Sequence, residues 1–311
     1  MQTAARERTP PSRAELRRIV TAIVVGNGFV AYDFTVYSFS AVIIGNLFFP
    51  SVNPASSLLL SLATFGAGFV MRPLGAIMIG HVADTRGRKA GLTLSLTLMT
   101  VGTWLIACLP GYASIGPAAP VLMVLARLMQ GLAAGGEIGP ASASLMESAA
   151  YRHRCFMVSW RGASQGAAAF AAALVGASMT ALLSPAAMQD WGWRIPFIAS
   201  IILLGVSVWI RLQLHESPVF ERIKAEGKTS KAPLTEAFGQ WKNLKIVILA
   251  LIGLTAGQAV VWYTGQFYTL FFLTQTLKVD GATANILIAI ALLIGTPFFL
   301  WLVLRVRQRG A

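Results

Sequence analysis

The chain has 311 residues, of which 56% are hydrophobic and 12% are charged, and its mean hydropathy is +0.66. A water-soluble core of ordinary size cannot bury this much apolar surface, so the composition excludes a soluble globular protein and indicates a membrane protein. The formal net charge is +13. No block of basic residues is interleaved with aromatic residues, and we therefore expect no nucleic-acid partner.

Eight apolar segments are each long enough to cross a bilayer as a helix, at 1.5 Å rise per residue. Residues 1–18 precede them and are polar and basic, which indicates an N-terminal tail. The sequence therefore predicts an all-α, polytopic membrane helical bundle. The predicted spans are 19–47, 56–79, 90–109, 121–146, 156–183, 194–213, 244–273 and 282–304.

The longest hydrophilic stretch, residues 214–243, divides these spans into six and two. We interpret it as a cytoplasmic linker between a six-helix half, 19–213, and the first two helices of an incomplete second half, 244–311. Twenty of the 25 Lys and Arg residues fall on one side of the predicted bundle. The positive-inside rule then places both termini in the cytoplasm, and this topology in the lipid bilayer accounts for the basic charge.

A polar stretch, residues 80–89, lies between the second and third predicted spans, and we expect a loop there. Asp84 can reach the first free backbone N–H groups of the next helix or the guanidinium groups of Arg86 and Arg88. Gly87 provides the backbone freedom that such a tight turn needs. Basic residues after a span are also ordinary charge anchors, and that alternative stays open for the Arg and Lys residues alone.

An ionisable residue inside a span costs several kcal/mol unless it is paired or hydrated, and five such residues are good candidates for function. Asp33 and Arg127 fall at similar depth, so we expect them to pair across a cavity and act as a proton switch. Glu137 is a second carboxylate candidate, and Arg72 and Arg161 are candidate partners of an anionic substrate. Buried ion pairs that only fix helix register are the alternative for each of the five.

Six short motifs follow one another in order between residues 32 and 220. Together they resemble the metabolite:proton symporter family of the major facilitator superfamily, which are bacterial carriers for carboxylates, shikimate, proline and betaine. The motifs are Y-D-F at 32–34, R-P-L-G at 72–75, G-x-x-x-D-x-x-G-R-K at 80–89, R-L-M-Q-G at 127–131 with G-G-E at 135–137, W-G-W-R-I-P-F at 191–197 and E-S-P-V-F at 216–220.

The resemblance implies proton-driven uptake of a small organic anion or zwitterion across the inner membrane. It also implies that Asp33 and Arg127 take part in proton coupling. The motif at 80–89 is expected to hold neighbouring helix ends together and release them during transport, which assigns gating roles to Gly80, Asp84, Arg86, Gly87 and Arg88.

Such a carrier has twelve helices, whereas this sequence ends after the eighth predicted span without a second copy of the G-x-x-x-D motif. We expect the last four helices to be missing, as in a truncated gene product, and an inactive fragment is the alternative function. Polar groups of the seventh span, Gln258, Tyr263 and Gln266, are candidate substrate contacts or interhelical hydrogen-bonding groups. An enzyme is disfavoured because no nucleophile with a base, metal cluster or phosphate loop is visible, and no cofactor is expected.

Overall fold

The computed structural model describes residues 13–149, 153–214, 216–227 and 233–309, and all regular secondary structure in these residues is helical. Shorter helices connect the long ones at Ala41–Phe48, Tyr112–Ile115, Pro185–Asp190, Gly192–Arg194, Pro218–Ala225 and Pro233–Phe238. The long helices are α1 (Arg13–Phe39), α2 (Pro54–Arg86), α3 (Arg88–Cys108), α4 (Ala118–Ser148), α5 (Arg154–Leu182), α6 (Ile195–Leu212), α7 (241–276) and α8 (Gly281–Arg309).

Seven helices of the described part are long and apolar enough to cross a membrane, namely α1 to α6 and the portion Trp241–Tyr263 of α7. The eighth predicted span lies in α8, where Gly281–Gly295 forms a shorter apolar stretch. The predicted polytopic helical bundle is thereby confirmed. Helix α7 is unusual because π-helical turns at Ala250–Ala256, Thr264–Tyr268 and Phe272–Thr276 interrupt its α-helical portions.

The first predicted span was wrong as a single helix, since Ser40 separates α1 from the helix Ala41–Phe48.

The predicted loop over 80–89 was also wrong. Helix α2 continues through Arg86, and α3 starts at Arg88, which leaves Gly87 alone between them. A polar stretch near a membrane surface can continue a helix as readily as it can form a loop, because a helix satisfies its own backbone hydrogen bonds. The tail prediction falls mostly on residues 1–12, outside the described residues, and residues 13–18 belong to α1.

Glycines bring the backbones of α2 and α4 into direct contact, as the density of small residues in these spans suggests. A Cβ atom at Gly131 would lie 2.0 Å from the carbonyl oxygen of Gly68. A Cβ at Gly135 would lie 2.0 Å from that of Arg72, and one at Gly75 would lie 2.0 Å from that of Leu132. The backbone position of Arg72 is therefore set by its contact with α4.

Helix α1 lies inside the bundle and packs against α4, α5 and α6, while α8 packs along α5. A core of buried aromatic and aliphatic side chains, including Tyr37, Phe48, Trp193 and Phe197, surrounds the end of α1. The apolar window of α7, by contrast, has no buried residue among those whose side chains the structure describes. A cavity lies between α7 and the rest of the bundle, and most of the predicted substrate-binding residues line it.

Candidate functional site

The cavity has a volume of about 430 Å³ and is bounded by α1, α2, α4, α5 and α7. Its wall contains four of the five predicted substrate contacts together with one predicted carboxylate. The side chain of the fifth, Gln266, is outside the described residues. The predicted residues that line the cavity are Arg72, Arg161, Gln258, Tyr263 and Glu137.

The hydrogen bonds of the two cavity arginines all go to neutral groups, although the charge of Glu137 also acts on Arg161. Arg72 donates from Nη1 to the hydroxyl of Tyr263 at 3.0 Å, and its guanidinium carbon lies 4.3 Å from the centre of the Phe34 ring. Arg161 donates to Asn27 Oδ1 and Ser142 Oγ, both at 3.4 Å. Neither forms a salt bridge with a carboxylate of the described residues. The guanidinium groups of Arg72 and Arg161 thus line the cavity and can bind an anion.

Asp33 is fully buried behind the cavity wall, one residue before Phe34. Its Oδ1 accepts a hydrogen bond from Ser200 Oγ at 2.7 Å, and its Oδ2 accepts one from Gln130 Nε2 at 2.6 Å. Arg127 does not contact Asp33 directly, because Gln130 lies between them and accepts from Arg127 Nη1 at 2.5 Å. The predicted pair is brought together, but through an intervening neutral amide.

Arg127 is also fully buried and lies among aromatic rings. Its guanidinium carbon is 4.3 Å from the ring centre of Phe34, 4.2 Å from that of Tyr37 and 5.3 Å from that of Phe65. Cation–π attraction replaces part of the lost hydration. Nε and Nη2 nevertheless have no hydrogen-bond partner among the described residues. Since Phe34 also contacts Arg72, one ring separates the cavity arginine from the buried one.

Glu137 has a buried arginine partner that the sequence did not reveal. Arg211 of α6 approaches both carboxylate oxygens, with Nη1 2.9 Å from Oε2, and Ser95 Oγ donates to Oε2 at 2.5 Å. Both members of the salt bridge have a side-chain exposure of 1%. The sequence analysis counted Arg211 only among the basic residues of the cytoplasmic side and did not predict this buried pair. Gly26 makes room for it, because a Cβ there would lie 2.5 Å from Arg211 Nη2.

The predicted gating residues lie at one end of the bundle. Asp84 forms a salt bridge with Arg88, which also donates from Nε and Nη2 to Glu147 Oε1 of α4, at 3.2 Å in each case. Arg86 is exposed, and a Cβ at Gly80 would meet nothing within 4 Å. Of the two partners proposed for Asp84, the structure therefore shows the guanidinium group of Arg88.

The free backbone N–H groups at the start of α3 are bound by Glu216 and not by Asp84. Its carboxylate accepts from the N–H of Arg88 at 2.9 Å and from that of Lys89 at 3.2 Å. Gly87 has φ of +119°, and a Cβ there would lie 2.0 Å from Glu216 Oε2. The glycine is thus required both by its positive φ and by the close approach of a carboxylate to the helix N-terminus.

We expect Glu216→Ala to open this end of the bundle locally, because two backbone N–H groups lose a charged acceptor. Hydrogen–deuterium exchange of the backbone amides at Arg88 and Lys89 should become about 10-fold faster or more. Glu226→Ala, at an exposed acid after the same short helix Pro218–Ala225, is the matched control and should leave these amides unchanged. Unchanged exchange in Glu216→Ala would show that the carboxylate does not hold α3.

The model of the family described as "Sugar (and other) transporter" matches residues 19–247, which is well over half of the chain. The chain belongs to the sugar (and other) transporter family. Among related members, the citrate-proton symporter of Salmonella typhi is 37% identical over 94% of this chain and 65% of its own length. The alpha-ketoglutarate permease of Escherichia coli is 36% identical over 90% of this chain and 64% of its own length.

The chain therefore spans about two thirds of the length of these relatives. Among solved structures, the proton:xylose symporter XylE of the major facilitator superfamily, from E. coli, matches with a TM-score of 0.73 and 16% identity, over 93% of this chain and 68% of XylE. At this identity the match shows the fold, which is of the major facilitator type. Fold and relatives together confirm the predicted resemblance.

Proposed function

We propose that the chain forms the larger part of a proton-coupled symporter that takes up a small organic anion across the bacterial inner membrane. The observation that carries the proposal is a cavity with two arginines, Arg72 and Arg161, that form no salt bridge with a carboxylate among the described residues. A buried carboxylate, Asp33, adjoins the cavity through its neighbour Phe34. These are the two elements that an anion–proton symporter requires.

A carboxylate substrate fits the cavity best, because a guanidinium group binds a carboxylate through two parallel hydrogen bonds. The relatives named for citrate and alpha-ketoglutarate support this class, and the family also contains relatives named for proline and betaine. The side chains of Gln258 and Tyr263 supply neutral polar groups on the α7 side. Gln266, whose assignment rests on the sequence, belongs to the same proposed set.

Asp33 and Arg127 are the proposed coupling pair. Glu137 is a second carboxylate for this role only in a state in which Arg211 has moved away, because the two side chains form a salt bridge in this structure. The salt bridge of Asp84 with Arg88 and the contact of Arg88 with α4, together with Gly80, Arg86 and Gly87, form the proposed gate at the cytoplasmic end. Both termini, the linker at 214–243 and this gate lie on the same side of the membrane in the proposal.

The test is uptake by proteoliposomes that contain the 311-residue chain, with an inward proton gradient and labelled citrate, alpha-ketoglutarate, proline and betaine. We expect accumulation of a carboxylate that collapses when a protonophore is added. Arg72→Gln and Arg161→Gln should each raise the half-saturating concentration about 10- to 100-fold, since each removes a charge-assisted contact.

Arg222→Gln is the control, because Arg222 is exposed on the short helix Pro218–Ala225. This substitution should leave the half-saturating substrate concentration unchanged. Zwitterion uptake that is insensitive to Arg161→Gln would contradict the assignment of the substrate class. No uptake by well-inserted chain would contradict the transport function and favour an inactive membrane fragment.

A further inference from the structure

Gln130 of α4 is a fully buried amide whose hydrogen bonds are all used by the proposed coupling site. Its Oε1 accepts from Arg127, while its Nε2 donates to Asp33 Oδ2 at 2.6 Å and to Thr103 Oγ1 at 2.9 Å. A side-chain amide has one acceptor oxygen and two donor hydrogens, and each has a partner here. Turning the amide over would place donors against donors and an oxygen against a carboxylate, so its orientation is fixed.

Helix α3 also holds Gln130 in place by close packing. A Cβ at Gly102 would lie 2.8 Å from Gln130 Cγ and 3.2 Å from the carbonyl oxygen of Ala126. The hydroxyl of Thr103 donates to the carbonyl of Met99 at 2.9 Å, which directs its lone pairs to the Gln130 amide. Gln130 is therefore held rigidly between the carboxylate and the guanidinium group.

The contacts of Arg127 show what this amide prevents. Arg127 is fully buried, yet its Nε and Nη2 have no partner among the described residues, and no salt bridge joins it to Asp33. An ionised carboxylate is the strongest acceptor available to unused guanidinium donors. The pair nevertheless stays apart, and the neutral amide of Gln130 occupies the space between the two side chains.

We propose that Gln130 is the positioning residue of the coupling site, whose amide keeps Arg127 from closing on Asp33 and so lets the carboxylate exchange a proton in each transport cycle. This rests on the proposed symport function. Direct contact with an arginine strongly favours the ionised carboxylate, which would hinder protonation. The other groups that face Asp33 are Tyr32 of its own helix and the neutral hydroxyls of Thr103 and Ser200.

Two substitutions of Gln130 should change the pH dependence of uptake in opposite directions. Gln130→Ala removes the spacer and lets Arg127 reach Asp33, so the pH of half-maximal uptake should fall by about 1 unit or more. Gln130→Met keeps the bulk but removes the donor to Asp33, so the same midpoint should rise. Gln213→Ala, at an exposed glutamine that follows α6, is the control and should not move the midpoint.

A second measurement does not depend on transport. Infrared spectroscopy of the purified chain can titrate the carbonyl stretch of protonated Asp33, which is assigned by its loss in Asp33→Asn. We expect the midpoint of this band to fall in Gln130→Ala and to rise in Gln130→Met. Unshifted midpoints in both variants would overturn the role of Gln130 even in a chain that transports, whereas shifted midpoints in a chain without uptake would leave it standing and contradict the symport function.

Discussion

Asp33→Asn should abolish proton-driven accumulation of the substrate while it leaves exchange of internal for external substrate within about 3-fold of wild type. Asparagine has nearly the same shape as aspartate, and it can still accept from Gln130 and donate to Ser200, so the packing around residue 33 should persist. It cannot bind and release a proton. Accumulation therefore loses its driving force, whereas the alternation between open states continues.

The measurement for Asp33→Asn compares uptake under an inward proton gradient with counterflow in the absence of any gradient. Asp190→Asn is the matched control, because this exposed residue ends the short helix Pro185–Asp190, away from the site. Full accumulation in Asp33→Asn would remove Asp33 from the coupling mechanism. Loss of both accumulation and counterflow would indicate a structural role for the carboxylate.

Gly135→Ala should destabilise the bundle and weaken anion binding together, although it adds a single methyl group. The new Cβ would lie 2.0 Å from the carbonyl oxygen of Arg72, so α2 and α4 must separate. Overpacking of this kind costs about 1–3 kcal/mol, which lowers the melting temperature by about 3–10 °C in a chain of this size. Because the clash is with the backbone of Arg72, the guanidinium group should also move from its place in the cavity.

Gly139→Ala is the control for this effect, since Gly139 lies one turn further along α4 and a Cβ there would meet nothing within 4 Å. Its melting temperature should be unchanged or slightly higher, because alanine favours a helix over glycine. Thermal unfolding in detergent, followed by circular dichroism, compares the two variants. Equal melting temperatures would show that the contact between α2 and α4 does not limit stability.

The sequence was sufficient to predict the helical fold and the charged residues that line the cavity, Arg72, Glu137 and Arg161. The length of the apolar segments predicted the helices. The free-energy cost of burying a charge in the membrane identified Asp33, Arg72 and Arg161 as candidates. The predicted span boundaries lie close to the helix ends of the structure where the hydrophobicity of the sequence changes sharply. They were less good at 80–89, because a polar stretch after a span has the same composition whether it continues the helix or leaves it.

The partners of these residues could not be predicted, because they depend on packing between helices distant in sequence. Gln130 is neutral and carries no signal of burial cost, yet it separates the predicted ion pair. Arg211 lies at the polar end of α6, where an arginine is ordinarily a surface anchor, but it is buried against Glu137. Glu216 was noted only as part of a motif. Its role became visible in the structure, where its carboxylate binds the backbone N–H of Arg88 at the start of α3.

Proton movement coupled to substrate entry tests the central claim most directly. Proteoliposomes loaded with a pH-sensitive dye and containing the 311-residue chain would receive citrate or alpha-ketoglutarate with no gradient imposed. The proposed mechanism requires the lumen to acidify as the anion enters, and this acidification to disappear in Asp33→Asn. Anion entry without acidification, or acidification that persists in Asp33→Asn, would contradict coupling through this carboxylate.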